Sequence, residues 1–503
     1  RADPARAKPA RIDRRLLLAG GGLALAGGGF LAWQRLGGDA ASSTQANSVA
    51  VLPFRNLSGD KERDYFAEGL TEELRSTLSV NRQLLVSGSG SARGFGAADI
   101  DVRQVATALG VNNLLTGSVR QSDARVRISA RLVDGVTGFE RWSQTFDRAV
   151  ADVLAVQAEI ASTVADALIS TLAKDPRWRA QRPGGTRDAS AFDAYLQGGR
   201  LYSLGQTETD RQALAAFDKA IAIDPAYAAA HAARANTLVA IANQDPDVAH
   251  GQQLRRTALA SARQAIRLAP DMGEAHATLG FLLMSQLDMA GARLSYQRAF
   301  DFGFGDASIL AACAEFFTNL GDFDRARAAL RRAKDLDPLN AGVFRLAGTL
   351  AFATRDYDTA RAELKTVETL RPGRPIVQRM LGDMALISGD VAAAHRHYLA
   401  EPSKLSRLRG LAITEAQLNG AAAGEAQMAK LVAEYGDGGL YQQGEVLAQW
   451  GRIEEALTTL EKALQLRDAG LALASYDPLL DPLRKQPRFL AILTSIGITP
   501  KAA

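Results

Sequence analysis

The sequence predicts a mainly helical protein in three parts: an N-terminal transmembrane helix, a small α/β domain, and a long α-helical solenoid of paired helices. Three observations predict it. An uncharged stretch of eighteen residues lies near the start. Short apolar runs bounded by turn residues then alternate with amphipathic helical patterns over residues 47–172. From residue 191 to residue 497, small and large residues recur in a pattern with a 34-residue period.

Composition agrees with the helical reading. Of 503 residues, 47% are hydrophobic and 23% charged, the balance of a globular chain, and only 6% are aromatic. Alanine and leucine, both good helix formers, dominate. The length exceeds one ordinary domain of roughly 100 to 200 residues, so two or more folded units are expected. The formal net charge is +4, and Arg1, Arg6, Lys8, Arg11, Arg14 and Arg15 against Asp3 and Asp13 account for all of it. The remainder is neutral, without the basic face of a nucleic-acid reader, which argues against nucleic acid as a partner. Cys313 is the single cysteine, so no intrachain disulfide can form.

The uncharged stretch LLLAGGGLALAGGGFLAW begins at Leu16 and ends at Trp33. As a helix it spans ~27 Å against a hydrocarbon core of ~30 Å. With its flank it is assigned as a transmembrane helix over residues 16–36, behind a basic cytoplasmic flank at residues 1–15. The positive excess on the N-terminal side predicts a single-pass membrane protein, with the N-terminus in the cytoplasm and everything after Leu36 outside it. Two readings stay open beside it. Arg14 and Arg15 before the apolar run, with Ala40, Ala41 and Ser42 after it, suit an exported protein with a cleaved leader; a buried soluble helix is the other.

Within residues 47–172, the run SVAVLPF from Ser48 to Phe54 reads as a buried strand ended by an Asn-Leu-Ser-Gly turn. Phe66, Leu70, Leu74 and Leu78 recur every four residues, one face of a helix. Gln83 to Val86 is a second strand. Val102, Val105, Ala106 and Leu109 mark a helix that Gly110 stops, and Asn113 to Val119 returns as a strand. From Arg125 to Val133, inward Val126, Ile128, Ala130 and Leu132 alternate with outward Arg125, Arg127, Ser129 and Arg131, a strand with one wet face. Phe139 to Phe146 is its hairpin partner, and Val156, Ile160, Val164, Leu168 and Leu172 close the unit with a long helix.

The stretches SVAVLPFRNLSGDKERDYFAEGLTEEL and LGVNNLLTGSVRQSDARVRISARLVDGVTGFERWSQTFDR resemble the domain called TolB-like or FlgO-like in bacterial multidomain proteins. The resemblance rests on Val51, Pro53, Phe54, Gly59, Asp60, Tyr65, Phe66, Gly69, Gly117, Ser118, Val119 and Trp142. It departs at residues 87–96, SGSGSARGFG, which are richer in glycine than in relatives. In that family the domain sits between a membrane segment and helical repeats, behind a class III adenylate or guanylate cyclase domain or a winged-helix DNA-binding domain. The resemblance implies that the membrane is a bacterial inner membrane and the outside the periplasm.

A linker rich in Pro, Gly and Arg, residues 173–190, precedes the repeats. Pro270, Pro338 and Pro372 are 68 and 34 residues apart, with Phe304 at the skipped position. Around them recur Leu279, Gly280, Ala292, Tyr296 and Ala299; then Cys313, Ala314, Ala326, Leu330 and Ala333; then Ala347, Gly348, Ala360, Leu364 and Val367. This pattern resembles the tetratricopeptide repeat (TPR), in which small residues let two helices approach and the proline ends the second. Gly199, Tyr202, Ala213, Phe217 and Ala220 mark an earlier repeat. Leu381, Gly382, Ala394 and Tyr398 begin a later one that breaks at Glu401 and Pro402. The ending YDPLLDPLRKQPRF resembles the C-terminal cap of the same bacterial family that carries the TolB-like domain.

Stacked repeats form a superhelix whose first helices line a concave groove. The 34-residue register places Glu274, Phe281, Met284, Glu315, Thr318, Asn319, Arg345, Phe352, Arg379 and Asp383 toward that groove, a mixed-charge surface for a protein or peptide ligand.

Catalytic chemistry is not visible. His395 and His397 are two apart, ~200° around a helix, which defeats joint metal binding. His231 and His276 hold repeat positions usually filled by a packing aromatic, and Cys313 reads as an inert buried thiol. Residues 87–96 lack the terminal Lys-Ser or Lys-Thr of a phosphate loop, and Glu72 and Glu73 read as a wet helix face. No cofactor, metal site or catalytic residue is expected. The sequence therefore points to a non-catalytic, membrane-tethered scaffold or sensor that binds a protein. The family resemblance implies an alternative, the regulatory C-terminal part of a class III adenylate cyclase or of a winged-helix regulator whose effector domain lies upstream of residue 1. The oligomeric state is not legible.

Overall fold

A computed structural model describes residues 47–81, 83–95, 101–122, 124–168, 183–244 and 248–499. The expected transmembrane helix over residues 16–36, and most of the expected linker, lie outside them. Among the described residues no helix is long and apolar enough to cross a membrane.

The first unit is a twisted sheet with helices on both faces. Its strands are β1 (Ser48–Val51), β2 (Arg55–Asn56), β3 (Leu85–Val86), β4 (Asn113–Gln121), β5 (Arg125–Asp134) and β6 (Glu140–Ala149), in the order β3-β1-β4-β5-β6, with β2 pairing β4. β1 runs parallel to β3 and β4, whereas β4, β5 and β6 are antiparallel. Parallel neighbours need helical crossovers. These are α1 (Asp64–Ser79) and α2 (Val102–Leu109), and α3 (Val153–Leu168) follows the hairpin. Alternation decides which face each helix covers. Val49, Val51 and Leu115 point to α1 and α3, while Ala50, Leu52 and Leu114 point to α2. Gly110 ends α2 in the left-handed region at φ 65°, a conformation that favours glycine. On the wet face, Asp147 binds both Arg125 and Arg127, at 2.6 and 2.5 Å.

The second unit is a solenoid of helix pairs. They are α4/α5 (Ala189–Tyr202, Thr207–Ile223), α6/α7 (Ala228–Gln244, Val248–Leu268), α8/α9 (Gly273–Ser285, Met289–Phe302) and α10/α11 (Ala307–Asn319, Phe323–Leu336). Then come α12/α13 (Ala341–Ala353, Tyr357–Leu370), α14/α15 (Val377–Ile387, Val391–Ala400), α16/α17 (Lys404–Asn419, Ala421–Tyr435) and α18/α19 (Leu440–Gln449, Ile453–Gln465). Two 3-10 turns, Ala469–Leu473 and Pro478–Leu483, and α20 (Pro487–Ser495) follow α19.

Small residues set the spacing within pairs. A Cβ added at Gly280 would enter the ring of Tyr296, and one at Gly382 the ring of Tyr398. The second helices begin on Asp288, Asp322, Asp356 and Asp390, each accepting a backbone N–H from three residues on. These caps repeat every 34 residues, a sequence signal the apolar pattern alone overlooks.

Three sequence expectations shift. In the first repeat Gly198, not Gly199, meets Phe217, and Gly199 faces open space. The break at Glu401 and Pro402 shortens α15 without ending the stack: buried Glu401 instead accepts the Ile376 and Arg379 N–H groups at the start of α14, at 3.1 and 2.9 Å. His231 and His276 each bond through Nε2 to the carbonyl of the proline six residues before, Pro225 at 3.1 Å and Pro270 at 2.8 Å. Both histidines thus fasten the turn entering a repeat.

Candidate partner-binding cleft

The sheet domain lies against the first helices of the solenoid. Phe192 and Leu196 of α4 enter the core under the sheet, and a Cβ at Gly69 of α1 would collide with Leu196. Tyr65 of α1 donates to Asp193 of α4 at 2.7 Å, and burial with this bond pushes its phenol up to about 12. At the other end of α1, Arg75 reaches α10. Its side chain is 7% exposed and pairs with Glu72 at 2.6 Å and Asp306 at 3.5 Å. Burial opposes its charge, but the two carboxylates outweigh burial and hold the guanidinium protonated.

Between these fixed points α1 roofs a cleft with two lobes. One, of about 470 Å³, lies over α8 and α10 and is lined by Glu73, Glu274, Phe281 and Glu315 among others. The other, of about 440 Å³, lies over α4 and α6 near the carboxyl end of β1, with Tyr65, Tyr195, Arg200 and Tyr202 in its wall. Glu72, Glu73, Arg75, Tyr195, Asn236 and Glu274 line both. Among the described residues the first lobe is lined by six carboxylates, with Asp271 and Asp306, and by the guanidinium of Arg75. Glu72 and Glu73, which read as a wet helix face, therefore belong to the cleft, and Glu73 is only 6% exposed.

Of the ten residues placed toward a groove, Glu274, Phe281 and Glu315 meet in this cleft, and Phe281 is 39% exposed. Arg345 and Arg379 are half-buried; Arg345 lies 3.9 Å from Glu315. Met284, Thr318, Asn319, Phe352 and Asp383 are buried, contrary to the expectation. The first reason is register. Met284, Thr318 and Phe352 share one position of the 34-residue period and point between neighbouring helices, three residues on from the cleft position of Phe281 and Glu315. The second reason is the C-terminal segment, which crosses the inner face beyond α10. The Ser475 hydroxyl donates to the Asn319 carbonyl at 2.6 Å, and Arg355 donates to the Tyr476 carbonyl at 2.8 Å. Tyr476 packs in the same cluster as Phe352.

Asp383 has the same period position as Phe281, yet a buried ionic network covers it. It accepts from Tyr398 at 2.7 Å, Arg409 at 2.8 Å and Arg379 at 2.8 Å. Arg409 also reaches Glu445 at 3.1 Å, and Tyr441 donates to Asp477 of the C-terminal segment at 2.7 Å. Burial, reinforced by Asp477, pushes the Glu445 carboxyl well above the usual range despite Arg409.

His395 and His397 bond to different partners, Thr414 at 3.0 Å and Gln378 at 2.9 Å. Cys313 is buried, and burial pushes its thiol up to about 12. Among the described residues no group of three or more His, Cys, Asp or Glu side chains could hold a metal ion.

Family models described as tetratricopeptide repeats match residues 314–375 and 345–404, and another matches residues 438–469. The chain carries tetratricopeptide repeats. Among curated proteins, "Putative adenylate cyclase 3" of Rhizobium meliloti (strain 1021) is 36% identical over 185 residues, which are 37% of this chain and 31% of that protein. The chain thus spans less than a third of that relative's length. Among solved structures, a human IFIT1 dimer with m7Gppp-AAAA is 16% identical, covering 62% of this chain and 76% of that one at a TM-score of 0.40. PilW, a type IV pilus biogenesis factor, is 18% identical, covering 40% and 93% at 0.34. Yeast Tom70 is 14% identical, covering 60% and 67% at 0.37.

Proposed function

We propose that this TPR protein is a non-catalytic scaffold or sensor that holds an extended segment of a protein partner in the cleft beneath α1. The cleft itself is the observation that carries the reading. Beyond α10 the inner face is filled by the chain's own C-terminal segment, whereas over α6, α8 and α10 a channel wide enough for side chains remains. Its carboxylate-lined wall suits a segment bearing lysine or arginine, and Phe281 offers an apolar anchor at its mouth. In this proposal residues 16–36 tether the chain to a bacterial inner membrane and the partner is met on the far side.

A second reading is favoured by one observation, the 36% identity to a protein named as an adenylate cyclase. In it the sheet domain, TolB-like in sequence, and the repeats form the regulatory part of a class III cyclase and pass partner binding to a catalytic domain.

A photo-crosslinking residue at Phe281, with one at exposed Arg361 on the outer helix α13 as control, tests the first reading in cells. A discrete adduct from position 281 alone, weakened by Glu274→Lys, is expected. Equal crosslinking from both positions, or none from 281, overturns it.

A further inference from the structure

The glycine-rich loop at residues 87–95 is where the sheet domain grips the far side of the cleft. Gly88 donates its N–H to the Leu336 carbonyl at 2.6 Å, satisfying one of the carbonyls left open at the end of α11. Ser91 donates its N–H to Asp337 at 2.6 Å, and its hydroxyl also donates to the Asp337 carboxylate. That hydroxyl accepts the Leu339 N–H at 2.8 Å, and Asn340 donates to Asp337 at 2.8 Å. Asp337 is 1% exposed, so its carboxylate is held by these donors, with the Arg75 guanidinium near enough to favour its charge. A Cβ at Gly88 would run into Asp337, and one at Gly90 into both Asp337 and Asn340. Only glycine lets the loop backbone lie this close to the α11–α12 turn.

The two sides of the domain contact differ in kind. On the α4 side, Phe192 and Leu196 are part of the sheet domain's own core. Separating them exposes apolar surface to water. On the α11–α12 side the grip is mostly hydrogen bonds around one carboxylate, with Leu339 packed beside the α2 core and Leu85 of β3 packed against the solenoid core as its apolar components. Hydrogen bonds exchange for water at small net cost, whereas buried apolar area does not. One side is built to stay and the other to let go.

We propose that the loop at residues 87–95 is a clasp: the sheet domain pivots on its α4 contact, and release of Ser91 from Asp337, with parting of the 3.5 Å Arg75–Asp306 pair, opens the cleft to the partner. The role of the partner rests on the function proposed above; the opening does not.

Cys313, the only cysteine, is buried, so a cysteine placed in the cleft reports access by itself. Glu274→Cys is labelled with a maleimide in the full chain, in the parent background and with Asp337→Ala or Ser91→Val. Either substitution is expected to raise the labelling rate at least tenfold. The Gly88 amide should also exchange faster with deuterium, while the β4–β5 amides stay protected and show that the domain remains folded. Labelling within twofold of the parent, with the Gly88 amide released in either variant, overturns the clasp. Faster labelling in variants whose Phe281 crosslinker captures nothing upholds the clasp and rejects the partner reading instead.

Discussion

Phe352 separates two accounts of the inner face, and its replacement by alanine gives them opposite results. An open groove would make it a binding anchor with little part in folding. Here it is 3% exposed, with the Tyr357 ring 5.9 Å away and Tyr476 in the same cluster. A buried aromatic ring covers ~150–250 Å². At ~25 cal/mol per Å² its burial contributes roughly 4–6 kcal/mol, an upper figure because the unfolded chain already hides some of that area. Phenylalanine-to-alanine changes in cores cost ~3–5 kcal/mol. The hole cannot close easily, because Tyr476 is fixed through its carbonyl to Arg355 and through neighbouring Ser475 to Asn319. For a large helical unit, each kcal/mol lowers the melting temperature by roughly 2–4 °C. Phe352→Ala should therefore melt roughly 10 °C below the parent by circular dichroism. A shift under about 2 °C would refute the buried assignment and the role of the C-terminal segment, given the same scale.

Arg409→Met removes the cation between Asp383 and Glu445 and should cost ~3–5 kcal/mol in urea unfolding, because it strands buried acids rather than removing a whole pair. A loss below ~1 kcal/mol would mean the network is solvated, as exposed pairs are. Glu445 itself sets a pH dependence. Its folded pKa lies well above its ordinary 4.5, so the folded state keeps a proton that the unfolded chain releases. Its contribution is complete below the ordinary value and lost as pH rises toward the folded one. The parent should thus lose stability relative to Glu445→Gln as the pH rises above the ordinary carboxylate range, a difference in which titration of the histidines cancels; parallel pH profiles would contradict this. Gly198→Ala should destabilise the first repeat by ~1–3 kcal/mol through its clash with Phe217. Gly199→Ala, facing open space, should stabilise by up to ~1 kcal/mol, and equal effects would place the register elsewhere.

Much of the fold is local and was legible for that reason. Alternation at Val126, Ile128, Ala130 and Leu132 identified β5 because each residue answers to one sheet face. The spacing of Gly280 and Tyr296, repeated at Gly382 and Tyr398, identified helix pairs because close approach needs a small residue opposite a ring. The site was less legible. A three-residue step along a helix is only ~60° around it, yet it separates cleft-facing Phe281 from buried Met284. Periodicity finds the pair of faces and cannot rank them. Asp383 differs: its period position is that of Phe281, and its cover comes from Arg409 and Glu445, which lie beyond the break at Glu401, and from the C-terminal segment, so the register between Pro270 and Pro372 does not reach them. The glycines at 88 and 90 looked like loop composition until the turn they press against, some 250 residues away in sequence, was in place.

The inner face is open beneath α1 and filled by the chain itself beyond α10. Comparing the maleimide reactivity of Phe281→Cys with that of Phe352→Cys tests this most directly, because Cys313 is buried and leaves one reporter in each variant. The thiol introduced at position 281 should react with the native protein, and the thiol introduced at position 352 only on the timescale of unfolding. Rapid labelling at position 352 in the native protein, with position 281 protected, would contradict it.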